Sequence, residues 1–149
     1  MQNSRHKLPQ FELKFRLTVD DGWPPVGFEV LPVDTEGEMH TILVPPFFLK
    51  GLSVDDVIKC TFDSEGYVEN WAHVYKSNRS TFWVHFKSLV EWEAAKQHLL
   101  DLGCNIETYN AYKHSAIDVP SLLPWERVDE ILGPVIAAGG FVVAPSLRE

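Results

Sequence analysis

The fold of this chain is decided by the stretch Val44-Pro-Pro-Phe-Phe-Leu-Lys-Gly-Leu-Ser-Val-Asp-Asp-Val-Ile-Lys-Cys-Thr-Phe62. The paired prolines end a preceding strand, because proline donates no hydrogen bond to a β-ladder and has a fixed φ. The three apolar residues that follow form a plug, and Gly51 permits a sharp bend. A second apolar strand then runs from Val57 to Phe62. This pattern is typical of the corner of a small β-barrel.

Outward from this corner, apolar and polar residues alternate with a period of two, which predicts half-buried strands separated by glycine-containing turns. Ser53 is a candidate cap for a single helical turn just before the fourth strand. Together the strands form an antiparallel meander that we expect to curl into a small barrel. The five predicted strands cover Phe11 to Val19, Val26 to Val30, Met39 to Val44, Val57 to Phe62 and Tyr67 to Tyr75.

The second half of the chain alternates between strand and helix patterns. Ser88 and Glu91 form a capping box at the start of the first helix. Pro134 is expected to kink the second helix or to divide it in two. The order is that of a ferredoxin-like βαββαβ arrangement. Its predicted elements are Thr81 to Phe86, a helix from Leu89 to Leu102, Asn105 to Tyr112, Ser115 to Val119, a helix from Trp125 to Ala138, and Phe141 to Ala144.

These patterns predict an α+β protein with two lobes. Residues 1–79 form the antiparallel β meander or small barrel, and residues 80–149 form the ferredoxin-like lobe. The connection between them is short, so we expect the barrel to pack tightly on the second lobe. On that basis the two lobes could also be regarded as one domain.

The formal net charge of the whole chain is −8. The acidic side chains are concentrated in its first half. Residues 17–70 contain eleven acids and two lysines, a net charge of −9, whereas residues 1–16 carry +3. Such a surface repels nucleic acid and anionic lipid and attracts basic partners. We therefore predict neither a nucleic-acid partner nor a membrane partner. The alternative explanation of the charge is solubility alone.

The cysteines and the start of the chain bear on the cellular compartment. Cys60 and Cys104 match no metal or redox spacing and lie in apolar settings, which predicts buried free thiols and a reducing compartment. The segment from Met1 to Gln10 lacks the apolar core of a signal peptide. No apolar run approaches the roughly 20 residues that span a bilayer. These features predict a soluble, cytoplasmic protein.

Motifs for catalysis are missing from the sequence. No histidine pair has metal-ligand spacing, and no nucleophile elbow or glycine-rich phosphate loop occurs. His73 and His85 are candidates to face each other across a hairpin, which leaves zinc as a minor alternative. Asp55 and Asp56 could form a metal site or an acid pair. Adjacent side chains rarely point the same way, however, and two acids at the start of a strand are usually a cap and a solvated charge. We therefore expect no catalytic residue, no metal and no cofactor.

Several acidic residues fall in predicted turns, which commonly carry function on a rigid scaffold. Trp23 lies among them and is a candidate interface anchor, because buried aromatic residues dominate many protein interfaces. Alternatively, Trp23 packs on the two prolines that follow it and closes one end of the barrel. The predicted partner-binding residues are Asp20, Asp21, Trp23, Glu36, Glu38, Asp63 and Glu65.

Five blocks of the sequence carry a resemblance to a known family. They are residues 21–29, 44–52, 56–58, 101–107 and 116–120, beginning with Asp-Gly-Trp-Pro-Pro-Val-Gly-Phe-Glu and Val-Pro-Pro-Phe-Phe-Leu-Lys-Gly-Leu. Their order and spacing are similar to those of the bacterial family of domain of unknown function 4265. The resemblance transfers no catalytic residue. Its small cytoplasmic members resemble immunity proteins encoded beside secreted bacterial toxins.

From charge and resemblance together we expect a non-enzymatic cytoplasmic immunity protein. It would bind a cognate basic toxin and neutralise it by occluding a basic cleft. One alternative is a regulatory module that binds a small molecule in the ferredoxin-like lobe. A further alternative is a small hydrolase that uses Asp55, Asp56 or a histidine.

Overall fold

The structure, a computed structural model, describes residues 11–148, except for the side chain of Asn110. The predictions that rest on Met1 to Gln10 lie outside these residues. Residues 11–148 form nine strands and two α-helices, so the predicted α+β class is confirmed. The elements are β1 Phe11–Arg16, β2 Phe28–Glu36, β3 Met39–Ile42, β4 Val57–Phe62, β5 Val68–Tyr75, β6 Ser80–His85, α1 Leu89–Asp101, β7 Asn105–Tyr109, a 3-10 turn Asn110–Tyr112, β8 His114–Val119, α2 Trp125–Ala137 and β9 Phe141–Ser146.

The first five strands form a closed barrel, and the chain divides into two compact units between Ser77 and Asn78. Successive strands of the barrel pair antiparallel, whereas β1 and β5 pair in parallel with Phe15 opposite Val68. The parallel closing pair follows from the topology, because the first and fifth strands of a meander run in the same direction. The buried core of the barrel consists of Leu13, Phe15, Leu31, Val33, Ile42, Leu52, Ile58 and Val68.

The corner predicted between β3 and β4 is present. Strand β3 ends at Ile42, before the proline pair, and Leu52 is fully buried in the barrel core. The predicted helical turn capped by Ser53 is wrong. The amide of Asp56 donates to the Ser53 carbonyl at 3.1 Å, and Asp55 has φ of 73°, which forms a tight turn. A residue in the left-handed region cannot continue a right-handed helix.

The second unit is a four-stranded sheet with the order β7-β8-β6-β9 and antiparallel pairing throughout. This is the strand order of a ferredoxin-like βαββαβ arrangement, in which the third strand lies between the first two. The Ser88 side chain accepts from the Glu91 amide at 3.3 Å and caps α1 as predicted. Both helices supply buried side chains to one core with the sheet, including Trp92, Leu99 and Leu132.

Helix α2 runs without interruption through Pro134, so the predicted division in two is wrong. Pro134 lies in the last turn, where its missing amide removes one hydrogen bond, to the carbonyl of the exposed Glu130. Four buried side chains hold the rest of the helix in the core of the sheet unit: Val128, Ile131, Leu132 and Val135.

Candidate functional site

A groove opens on the side of the barrel where β3 and β4 separate. These strands pair at His40 with Ile58 and at Thr41 with Val57, while β4 continues to Phe62 beside β5, with no second strand partner among residues 11–148. The groove has a volume of about 690 Å³, within the range of roughly 300–1,000 Å³ that is usual for ligand sites. Its lining comes from the β2–β3 turn, from His40, from residues 59–62 of β4 and from residues 70–72 of β5.

The floor of the groove is apolar and reaches the barrel core. Cys60 and Trp71 are direct partners across β4 and β5, and both pack partly buried against the core of the barrel. Phe62 lies at the rim with 48% of its surface exposed. Its ring meets the His40 ring edge-on, with centroids 6.4 Å apart. An occupant would therefore contact aromatic and aliphatic surface first.

His40 and Cys60 are the groove residues whose ordinary pKa values lie closest to neutral pH, and both are uncharged at that pH. Burial lowers the pKa of His40, and its Nδ1 lies 2.8 Å from the Thr35 hydroxyl, which holds the ring in place. Burial raises the pKa of the Cys60 thiol to about 11. A thiol protonated at neutral pH is a poor nucleophile, because the thiolate is the reactive form. The sequence did not show that His40 and Cys60 line one groove, since they lie on different strands.

One of the predicted partner-binding acids, Glu38, lines this groove, and Glu36 precedes the lining residue Gly37 in the chain. Glu36 ends β2 and Glu38 lies in the turn to β3, and both are exposed. The Glu38 side chain lines the groove, opposite in charge to Lys59 on β4. The structure therefore places predicted acids beside an open apolar surface, an arrangement that residue spacing alone could not reveal.

Two further predicted acids, Asp63 and Glu65, are held in the β4–β5 turn. Asp63 Oδ1 accepts from the amides of Glu65 at 2.9 Å and Tyr67 at 3.0 Å. Arg16 binds both carboxylates, at 3.2 Å to Asp63 and 3.1 Å to Glu65. Desolvation by itself would raise the pKa of Asp63. The two backbone donors and Arg16 outweigh it, so the pKa of Asp63 is lowered. These acids organise the turn, and Arg16 offsets part of their charge.

The remaining predicted residues, Asp20, Asp21 and Trp23, lie in the β1–β2 turn. Asp20 and Trp23 exchange backbone hydrogen bonds of 2.9 and 3.1 Å. The Trp23 ring meets Phe48 edge-on at 5.6 Å and remains 41% exposed. This turn and the β2–β3 turn lie at opposite ends of β2. The nine residues of β2 span roughly 30 Å. The predicted residues therefore do not form one continuous cluster.

Glu29 belongs to the acidic segment but is buried, with 7% of its surface exposed. Its carboxylate accepts from the amides of Phe47 at 2.6 Å, Phe48 at 2.9 Å and Leu49 at 3.0 Å. Burial raises the pKa of Glu29, and the three amide donors oppose that effect. This side chain ties the barrel corner to β2 and adds nothing to the acidic surface.

Asp56 is also fully buried, so it is not the solvated charge that an acid at the start of a strand usually is. Its carboxylate accepts from the amides of Ser53 at 3.0 Å and Ser77 at 2.8 Å, and lies 2.8 Å from His73 Nε2. The prediction that His73 and His85 face each other across a hairpin is wrong, because they lie on strands of different sheets. His73 lies in the barrel, whereas His85 lies in the second sheet and stacks on the Phe141 ring at 5.0 Å.

Within residues 11–148, no group of three or more His, Cys, Asp or Glu side chains could hold a metal ion. In the same residues, no helix combines the length and the apolar character that crossing a membrane requires. Both cysteines are free; Cys104 is buried as predicted, whereas Cys60 is only half-buried.

The family model described as Domain of unknown function (DUF4265) matches residues 29–142. The chain belongs to the DUF4265 family. A crystal structure of a hypothetical protein from Neisseria gonorrhoeae resembles this DUF4265 protein with a TM-score of 0.69 and 14% identity. The likeness covers 93% of this chain and 97% of the other, and at this identity it concerns the fold alone. No curated protein matches the chain.

The matched region contains the groove but only some of the predicted partner-binding residues. All of the groove residues of this DUF4265 protein, from Gly37 to Ala72, lie inside it. Asp20, Asp21 and Trp23 precede it. The groove is therefore the candidate site that belongs to the DUF4265 domain itself.

Proposed function

We propose that this DUF4265 protein is a non-enzymatic cytoplasmic immunity protein that binds and neutralises a cognate basic bacterial toxin. The observation that carries the proposal is the exposed Glu38 in the lining of an open groove with an apolar floor, with the exposed Glu36 two residues before it on the same hairpin. Protein interfaces commonly combine an apolar centre with a polar rim, and charge complementarity steers the encounter. The groove supplies the apolar centre. The polar rim comes from the acidic hairpin, by which we mean Glu36 and Glu38 at the β2–β3 turn.

Neutralisation in this proposal needs no chemistry from the inhibitor. A toxin that acts on nucleic acid presents basic side chains in its substrate cleft, because it must attract phosphates. The acidic hairpin competes for those side chains, and the barrel blocks the cleft sterically. The groove chemistry agrees with a binding role, since Cys60 is protonated and His40 is neutral near pH 7.

The test is co-expression with the product of the neighbouring gene, followed by co-purification at low and high salt. We expect the neighbour to be toxic alone and harmless with this protein. A Glu36→Lys, Glu38→Lys double variant should weaken the complex at least tenfold, because like charges then meet at the interface. Glu93→Lys on the exposed face of α1 is the matched control and should leave binding unchanged.

Two outcomes would contradict this proposal. One is a neighbour that is harmless by itself and does not co-purify with this protein. The other is a complex that forms but responds equally to the double variant and to Glu93→Lys, because the acidic hairpin would then have no part in binding.

A small-molecule regulatory module is the second candidate, and the size of the groove favours it. About 690 Å³ is sufficient for a drug-sized ligand. The groove lies in the barrel, whereas the sequence had suggested the ferredoxin-like unit for such a site. A thermal-shift screen with amino acids and nucleotides tests this candidate, because a ligand that binds only the folded state raises the melting temperature. A shift that Trp71→Ala removes would support it.

A further inference from the structure

One edge of β4 is open along the groove. On its other edge β4 pairs with β5 from Val57 to Phe62, but β3 pairs with β4 only as far as Ile58. No other strand within residues 11–148 pairs with residues 59–62 on the β3 side. All four of these residues line the groove. The groove is therefore bounded by four residues of unpaired sheet edge, roughly 13 Å of strand.

Peptide groups alternate in direction along a strand, which identifies the groups that face the groove. The Asp56 carbonyl accepts from the Ile42 amide at 2.9 Å on the β3 side, and the Asp63 amide donates to the Tyr67 carbonyl at 2.9 Å on the β5 side. The two ends of β4 therefore agree that its even-numbered residues point their backbone groups toward β3, although the β4–β5 register has two irregularities. The N–H and C=O groups of Cys60 and Phe62 consequently face the groove. An extended segment lying there would receive two donors and two acceptors in strand register.

The side chains around this edge determine the composition of such a segment. Side chains of an added strand would alternate between the groove floor and the solvent. The floor at Cys60 and Trp71 is apolar, which suits aliphatic side chains. The lining carries Glu38 on the adjoining hairpin and Lys59 on β4 itself. Glu36, which precedes the lining residue Gly37 in the chain, is a second exposed acid, so the hairpin and the lining together carry two acids against one lysine. This excess of negative charge suits basic side chains at the alternate positions.

We propose that the groove binds an extended segment of the basic partner, with alternating apolar and basic residues, by adding it as a strand to β4. This inference rests on the proposed function and specifies its mode of recognition. Main-chain hydrogen bonds to Cys60 and Phe62 supply affinity, and the floor and the acidic hairpin supply specificity. Recognition of this kind needs only about four residues of the partner in extended form.

The first test uses a fluorescent six-residue peptide of alternating valine and arginine, measured by fluorescence polarisation with the full-length protein. Two matched peptides serve as controls: one carries N-methyl groups on the edge that would face β4, and one has glutamate in place of arginine. We expect the unmethylated arginine peptide to bind at least tenfold more tightly than either control. Equal binding of the methylated peptide would overturn strand addition, because it cannot donate along that edge.

The second test uses charge variants with opposite expected signs. Glu38→Lys should weaken binding of the arginine peptide several-fold, and Lys59→Glu should strengthen it several-fold, because both change the charge at the same rim. Far-ultraviolet circular dichroism checks that each variant is folded. Effects of the same sign would overturn the assignment of a basic occupant.

Alkylation of the two thiols gives the position of the peptide. The bound peptide should slow alkylation of the half-buried Cys60 at least threefold, while the buried Cys104 is the internal reference. Unchanged alkylation of Cys60 despite peptide binding would overturn the groove as the site. A dimer of this chain that the peptide dissociates would overturn the partner segment as the natural occupant.

The proposed function and its mode can fail separately. If the cognate partner binds and depends on Glu36 and Glu38, but N-methylation of the peptide has no effect, strand addition is wrong and the function stands. If no basic partner binds and the peptide does not bind, both are wrong.

Discussion

Replacing Glu29 by glutamine tests the connection between β2 and the barrel corner. Glutamine has nearly the same shape but presents an NH₂ group where the carboxylate has its second oxygen. The oxygen that receives Phe48 and Leu49 can be kept, so the NH₂ group then faces the Phe47 amide, which now lies 2.6 Å from an acceptor. Two donors would point at each other in a buried position.

The expected loss of stability follows from these contacts. A hydrogen bond to a charged group contributes about 1.5–3 kcal/mol, and an unsatisfied buried donor costs about 1–3 kcal/mol. Removing the buried charge offsets part of this loss, because desolvation no longer opposes folding. We therefore expect the free energy of unfolding to fall by about 2 kcal/mol. For a chain of this size, that corresponds to a melting temperature lower by about 4–8 °C.

Urea denaturation followed by circular dichroism measures the difference between Glu29→Gln and the wild type. Glu69→Gln on the exposed face of β5 is the matched control and should change stability by less than about 0.5 kcal/mol. If Glu29→Gln is as stable as Glu69→Gln, the carboxylate does not hold the corner and the reasoning is refuted.

The difference between Glu29→Gln and the wild type should also depend on pH. Burial raises the pKa of Glu29 in the folded protein above the ordinary value of 4.5. Between the unfolded and folded pKa values, the folded state binds more protons, so the wild type loses stability as the pH rises through this interval. The deficit of the glutamine variant should therefore be larger near pH 4.5 than near pH 7. A deficit that grows with pH would show that the three amide donors outweigh burial.

Two further substitutions test the second unit. Gly140→Ala should cost about 2 kcal/mol, because its Cβ would lie 2.6 Å from the His85 carbonyl oxygen. Gly27→Ala has no atom within 4 Å of the added Cβ and should be neutral, so equal effects in urea denaturation would contradict this account. Asp118→Ala should cost about 3 kcal/mol, because it removes the bidentate partner of Arg79 at 2.7 and 2.9 Å. This loss is at the lower end of the range for breaking a buried ion pair, because 24% of the Arg79 side chain is exposed to solvent. A melting temperature equal to that of the wild type would refute this prediction.

Local patterns in the sequence were sufficient for most elements of the fold. Period-two alternation predicted β1 to within a few residues, and the apolar run after the Gly51 bend predicted β4 at its observed bounds. Strand β5 was predicted to within one residue. The capping pattern at Ser88 predicted the start of α1. These features depend on residues that are close together in the sequence, so they can be predicted from the residue types and their spacing. Strand β2 was underestimated because Pro32 interrupts the pattern, although Leu31 and Val33 on either side of it are buried.

The tertiary structure alone decided which charged residues form a surface. Glu29 and Asp56 look like solvated acids in the sequence, and only their backbone donors, up to 21 residues away, explain their burial. The groove likewise exists because β3 pairs with β4 at two positions and β4 then continues past the start of β3. Glu38 and Trp71 therefore line one surface. Sequence periodicity shows which side of a strand is buried. It does not show which distant groups meet there, because that depends on strand register and barrel closure.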